Sequence, residues 1–172
     1  MRNTRVNAIS LTVVAIWAVL WSGHPAQAKR DLLGYQALAW GDSLYDVLQK
    51  TDGTVAVTPD GQRTVSFHRT LAGAVFVAVA IVDDADALQA VVLRTCDGSA
   101  MSAPQVQAVV QAYREKYGAA HQQERTDQTE TWAWQFRSGA LTLTRLEAGP
   151  ASRTMRITYT RLDPFHIHPD DL

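Results

Sequence analysis

Ser43 and Ser102 each stand at the head of a helical pattern, and each pattern runs on into a series of strand-like segments. This duplicated order constrains the fold more than any other feature of the chain. A serine hydroxyl at an N-cap accepts a hydrogen bond from backbone N–H groups that the first helical turn leaves unpaired. After Ser43, Asp46 suits the positive end of a helix, and Leu44, Val47 and Leu48 fall at i, i+3 and i+4. Asp52-Gly53 ends that short helix. Strand patterns at residues 55–58 and 64–68 then flank the turn signal Pro59-Asp60-Gly61. Val75, Val77, Val79 and Ile81 alternate with Phe76, Ala78 and Ala80, so both faces of that strand are apolar. Such a pattern reads as a central strand covered on both sides. Asp83, Asp84 and Asp86 form the next turn, and residues 88–95 read as a further strand.

The second half repeats the order with fuller signals. Ser102 and Gln105 have capping-box spacing, and Met101 and Val106 stand where a hydrophobic staple forms. Val106, Val109, Val110, Tyr113 and Tyr117 mark one helical face, closed by Gly118. Strand-like segments follow at 121–126, 131–136, 140–146 and 153–162, with Ser138-Gly139 as a hairpin turn. Trp132, Trp134 and Phe136 share one strand face, as do Met155, Ile157 and Tyr159. The fold class read from this order is α+β. Two tandem helix-then-antiparallel-strands units, residues 29–98 and 99–162, pack as one compact domain with the helices on one face of the sheet. Neither unit exceeds about 70 residues, so a shared core is expected.

The first 28 residues read as an address. Arg2 and Arg5 form a basic start, and residues 8–21 are apolar except for Ser10 and Thr12. Ser22, Gly23 and Pro25 break the run, and Ala26-Gln27-Ala28 has the small-x-small cleavage pattern. The run is shorter than the roughly 20 residues that a spanning helix needs. The chain therefore reads as a periplasmic or secreted protein after removal of residues 1–28, with no transmembrane segment left. Lys+Arg number 16 against 17 Asp+Glu, which argues against a nucleic-acid binder. The single cysteine excludes an internal disulfide framework. Residues 163–172 have no periodicity and read as a flexible tail.

Trp40-Gly41-Asp42-Ser43, followed by Val47, resembles the Gly-x-Ser/Thr-x-x-x-Val helix start of the small lipoprotein of the β-barrel assembly machinery. The tandem helix-plus-strands order resembles the β-lactamase-inhibitor-protein fold. That likeness implies a small secreted protein that works by binding another protein. This chain lacks the lipid-accepting cysteine of the lipoprotein and has Thr51-Asp52-Gly53 where an apolar pair before glycine belongs.

Candidate chemistry is sparse. Cys96 ends a strand in what would be an oxidising compartment. It reads as a small buried side chain; the rival readings are an intermolecular disulfide or a thiol nucleophile with His68 or His121 as base. His166 and His168, with Asp170, are candidates for a metal clip in the tail. The Asp83–Asp86 run lacks the spacing of a calcium loop and reads as a hydrogen-bonded turn. No phosphate loop or nucleophile elbow is present, and no cofactor is implied. Trp132 and Trp134 read as core. Arg145, Arg153, Arg156 and Arg161 lie on the adjoining strands, and Arg156 shares a face with Thr154, Thr158 and Thr160. The binding residues read from the sequence are Arg156 and Thr158 on that face, with Asp83 and Asp84 in the turn. The partner is another protein of the envelope or periplasm. The function read is that of a non-enzymatic binder, an inhibitor or immunity protein or an envelope-assembly accessory. The alternatives are a thiol-dependent hydrolase at Cys96 and a metal-handling protein.

Overall fold

The computed structural model describes residues 31–96, 100–149 and 152–162. Residues 1–28, read above as a leader, and residues 163–172, read as a tail, lie outside the described residues. The chain order is β1 (Gly34–Tyr35), β2 (Leu38–Ala39), α1 (Leu44–Lys50), β3 (Thr54–Val57), β4 (Arg63–Leu71), β5 (Ala74–Val82) and β6 (Leu88–Thr95). It continues with α2 (Ala103–Tyr117), β7 (Gln122–Arg125), β8 (Thr129–Gln135), β9 (Gly139–Gly149) and β10 (Ser152–Arg161).

Both helices begin where their caps dictate. Ser43 and Asp46 form a reciprocal capping box on α1, as do Ser102 and Gln105 on α2. Met101 and Val106 are buried beside the second box, in the staple positions. Gly118 ends α2 with φ +83, a backbone conformation that glycine adopts without a Cβ penalty.

The α+β architecture read from the sequence is overturned. The fold is β-rich: strands take about half of the described residues, and the helices are two minor elements. One eight-stranded antiparallel sheet runs in the order β3-β4-β5-β6-β10-β9-β8-β7. The physical reason lies at its centre. β6 and β10, the last strands of the two supposed units, pair directly from Arg156↔Arg94 to Thr160↔Ala90. That seam satisfies the backbone groups both strands would otherwise leave as open edges and merges all eight strands into one sheet. Nor is the cover of the buried face a layer of helices alone. Tyr35 and Leu38 of the β1–β2 hairpin share it with Val47 of the seven-residue α1 and with Val106, Val109, Val110 and Tyr113 of α2.

Register decides which side chains this layer buries. Opposed residues in an antiparallel ladder share a face. The inner face carries Val65 and Phe67 of β4, Phe76, Ala78 and Ala80 of β5, and Val91 and Leu93 of β6. It continues with Met155, Ile157 and Tyr159 of β10, Leu141 and Leu143 of β9, and Trp132 and Trp134 of β8. The tryptophans are core, as the strand pattern predicts. Trp134 is 1% exposed, and its indole Nε1 donates to the Gly118 carbonyl at 2.9 Å. Tyr113 and Tyr159 hydroxyls hydrogen-bond at 2.6 Å within the core, and the Tyr35 ring meets Tyr159 edge-on at 4.9 Å.

The reading of β5 as covered on both sides holds for one side only. Val75 is 45% exposed, and Val77, Val79 and Ile81 are half-buried, shielded by neighbouring strands. No described element lies over them.

Candidate binding face

The side of the sheet opposite the packed core is open. Register assembles it from every strand. β4 contributes Thr64, Ser66 and His68, and β5 contributes Val75, Val77, Val79 and Ile81. β6 contributes Ala90, Val92 and Arg94, and β10 contributes Thr154, Arg156, Thr158 and Thr160. β9 and β8 add Thr142, Thr144, Thr131 and Ala133. Apart from His68, Arg94 and Arg156, these side chains are small or β-branched, so few of them project far from the sheet. The face divides into an apolar half on β5–β6 and a threonine-rich half on β10–β9–β8. The Thr131 hydroxyl donates to that of Thr144 at 3.4 Å, a cross-strand contact within the ladder.

Thr158 sits at the centre, opposite Val92 on β6 and Thr142 on β9. Arg156 is exposed two residues away, opposite Arg94 on β6 and Thr144 on β9. Arg94 was invisible as a candidate in the linear reading, because nothing within the 88–95 segment points to a residue near position 156. Its position between buried Leu93 and Thr95 still marks it as outward. Of the four arginines on the last two strands, register turns only Arg156 to the open face. Arg145 and Arg153 lie toward the inner side, where Arg145 pairs with Glu130 at 3.2 Å and Glu147 at 3.4 Å, and Arg153 with Glu147 at 3.5 Å.

Asp83 and Asp84 do not join Arg156. Their turn follows the far end of β5, six residues beyond Val77, which is level with Arg94. At about 3.3 Å per residue that is roughly 20 Å along the strand. Asp83 is already occupied: its carboxylate accepts from the Ala87 N–H at 2.9 Å and from the Gln89 amide at 2.6 Å. The Ala87 hydrogen bond leads the interactions that hold its carboxyl below the ordinary aspartate value. Asp86 accepts from the Leu44 N–H at 3.3 Å and pairs with Arg63 at 2.9 Å, fastening the turn to the start of α1. Asp84 is exposed. The aspartate run is a structural turn, as its composition predicts.

Cys96 is a half-buried free thiol just past β6. His68 lies on β4, two strand steps away, or about 10 Å sideways. His121 precedes β7 at the opposite edge, and its Nδ1 accepts from the Gln135 N–H at 2.9 Å. Among the described residues neither histidine forms a hydrogen bond with the thiol. Among the described residues no three His, Cys, Asp or Glu side chains group so as to hold a metal ion. His166, His168 and Asp170 lie outside the described residues. Among the described residues no helix is long and apolar enough to cross a membrane. The chain matches no protein-family model, no curated protein and no solved structure.

Proposed function

We propose that this chain is a non-enzymatic protein-binding protein of the bacterial periplasm, exported by a leader at residues 1–28. It recognises its partner through the open sheet face around Thr158 and Arg156. An inhibitor or immunity role and an envelope-assembly role both fit this reading. The observation that carries it is the open face of an eight-stranded sheet whose other side carries the packed core. Seven strand steps of about 4.8 Å, and five to nine residues at about 3.3 Å, give that face roughly 600–1,000 Å². A standard protein interface takes about 800 Å² from each partner. The mix of β-branched aliphatic and hydroxyl side chains suits such a surface, since an interface is polar at its rim and drier at its centre.

The test is site-specific photo-crosslinking in envelope extract. A photoreactive residue replacing Thr158 should capture a discrete partner, and one replacing Gln111 on the outward side of α2 should not. Equal capture at both positions, or capture at neither, refutes the reading. Export is tested separately by sequencing the N-terminus of protein recovered from the envelope. The expected first residue is Lys29, and a retained Met1 overturns the leader.

A further inference from the structure

Arg94 and Arg156 are direct cross-strand partners at the seam between β6 and β10, and both are exposed on the open face. Like charges in that position repel. Of the other strand arginines, Arg63 pairs with Asp86, Arg69 with Asp52, and Arg145 and Arg153 with Glu147, while Arg125 and Arg161 have no ion pair among the described residues. Among the described residues neither Arg94 nor Arg156 forms an ion pair. Register puts a single strand acid on their face, Glu124 on the edge strand β7. It lies three strand steps from Arg156, about 14 Å away.

We propose that Arg94 and Arg156 form a two-guanidinium cradle for a carboxylate of the protein partner. The carboxylate belongs to an Asp or Glu side chain carried beside an apolar residue that seats on Val77, Val79 and Val92. This rests on the reading of the open face as the binding surface. A guanidinium presents a planar fork of donors that matches a carboxylate, and an anion between two of them cancels their mutual repulsion. The surroundings select the source of the anion. A nucleic acid or an anionic membrane calls for a broad basic stripe. This face has two arginines, flanked by valines on one side and neutral threonines on the other. An acidic residue within an otherwise apolar protein segment fits that layout.

The probe is a capped hexapeptide of alternating valine and glutamate. Its control has glutamine in place of glutamate, and inorganic phosphate serves as a second anion. NMR signals of the arginine Nε–H groups report binding to the full mature chain. The valine–glutamate peptide should shift Arg94 and Arg156 saturably, and about tenfold more tightly than the glutamine peptide or phosphate. R94Q and R156Q should each weaken it about tenfold, the loss of one charge-assisted pair, while backbone spectra show both variants folded. No saturable shift, or equal binding of the glutamine peptide, overturns the cradle. Phosphate binding as tightly as the peptide overturns the protein source of the anion. The crosslink at Thr158 separates this failure from that of the proposed function. Capture that survives R94Q/R156Q unchanged sinks the cradle and leaves the face standing, whereas capture lost only in that variant supports both.

Discussion

The cross-strand pair Arg94↔Arg156 makes an unusual demand on stability: reversing either charge should strengthen the fold, and reversing both should not. Opposed side chains in a ladder place their charged ends about 7 Å apart. At an effective dielectric of roughly 40–80 the repulsion is about 0.6–1.2 kcal/mol, and screening in dilute buffer trims it toward the lower figure. Exposed pairs realise about 0.2–1 kcal/mol. R156E replaces repulsion by attraction, so the gain should be about 0.5–1 kcal/mol, and R94E should match it. The double variant R94E/R156E opposes two carboxylates and should fall back near the parent. The coupling in the cycle is therefore about 1–2 kcal/mol, well beyond what independent sites show. Urea denaturation at about 0.01 M and about 1 M salt reads it, because the screening length falls from about 30 Å to about 3 Å. The gain should shrink at high salt. A double variant that is as stable as the two gains added together, or a gain indifferent to salt, refutes the reasoning.

Further expectations concern the inner face. Trp134→Ala removes a fully buried indole and its bond to Gly118, and should cost about 3–5 kcal/mol. In the intact protein acrylamide should quench Trp132 and Trp134 poorly; ready quenching of the native state speaks against their burial. Val110→Asp buries an unpaired charge and should prevent cooperative folding, whereas Gln111→Asp on the exposed side should cost under about 1 kcal/mol. Equal losses would mean the helix face is misassigned. Burial raises the Tyr35, Tyr113 and Tyr159 phenols above their ordinary value near 10. These groups hold their protons longer folded than unfolded. Their stabilisation is complete below about pH 10 and is lost as pH rises beyond it, by up to about 1.4 kcal/mol per unit for each group. Denaturation midpoints taken from pH 8 to 12 should drop above pH 10, and less steeply in Tyr159→Phe; a flat profile contradicts the burial. Gly34→Ala should undo the β1–β2 hairpin, because a Cβ there overlaps the Leu38 carbonyl oxygen. Loss of the hairpin's amide-exchange protection would show it, and unchanged protection would count against that packing.

Local chemistry determined much of this molecule before any tertiary contact formed. Ser43 with Asp46, and Ser102 with Gln105, set both helix starts through hydrogen bonds that reach only three residues. Strand-like segments between turn signals placed eight strands, and period-two alternation put Trp132 and Trp134 on the buried side, because a strand's faces follow from residue parity. The hairpin strands β1 and β2, two residues each, are too short to show a period. The architecture was beyond such signals. Two strands that end separate meanders have no local mark saying that they pair, yet β6 against β10 is what turned two expected units into one β-rich sheet. The same seam decided the candidate site. Arg156 and Thr158 were legible as outward residues from their own strand, but parity along one strand cannot name the neighbour across a ladder. Only the register brought Arg94 opposite Arg156 and set the valines of β5 beside them, while sending Asp83 and Asp84 to a turn about 20 Å away. Pairing between distant segments is a property of the closed sheet, in which each strand takes the partner that leaves the fewest backbone groups and apolar side chains exposed.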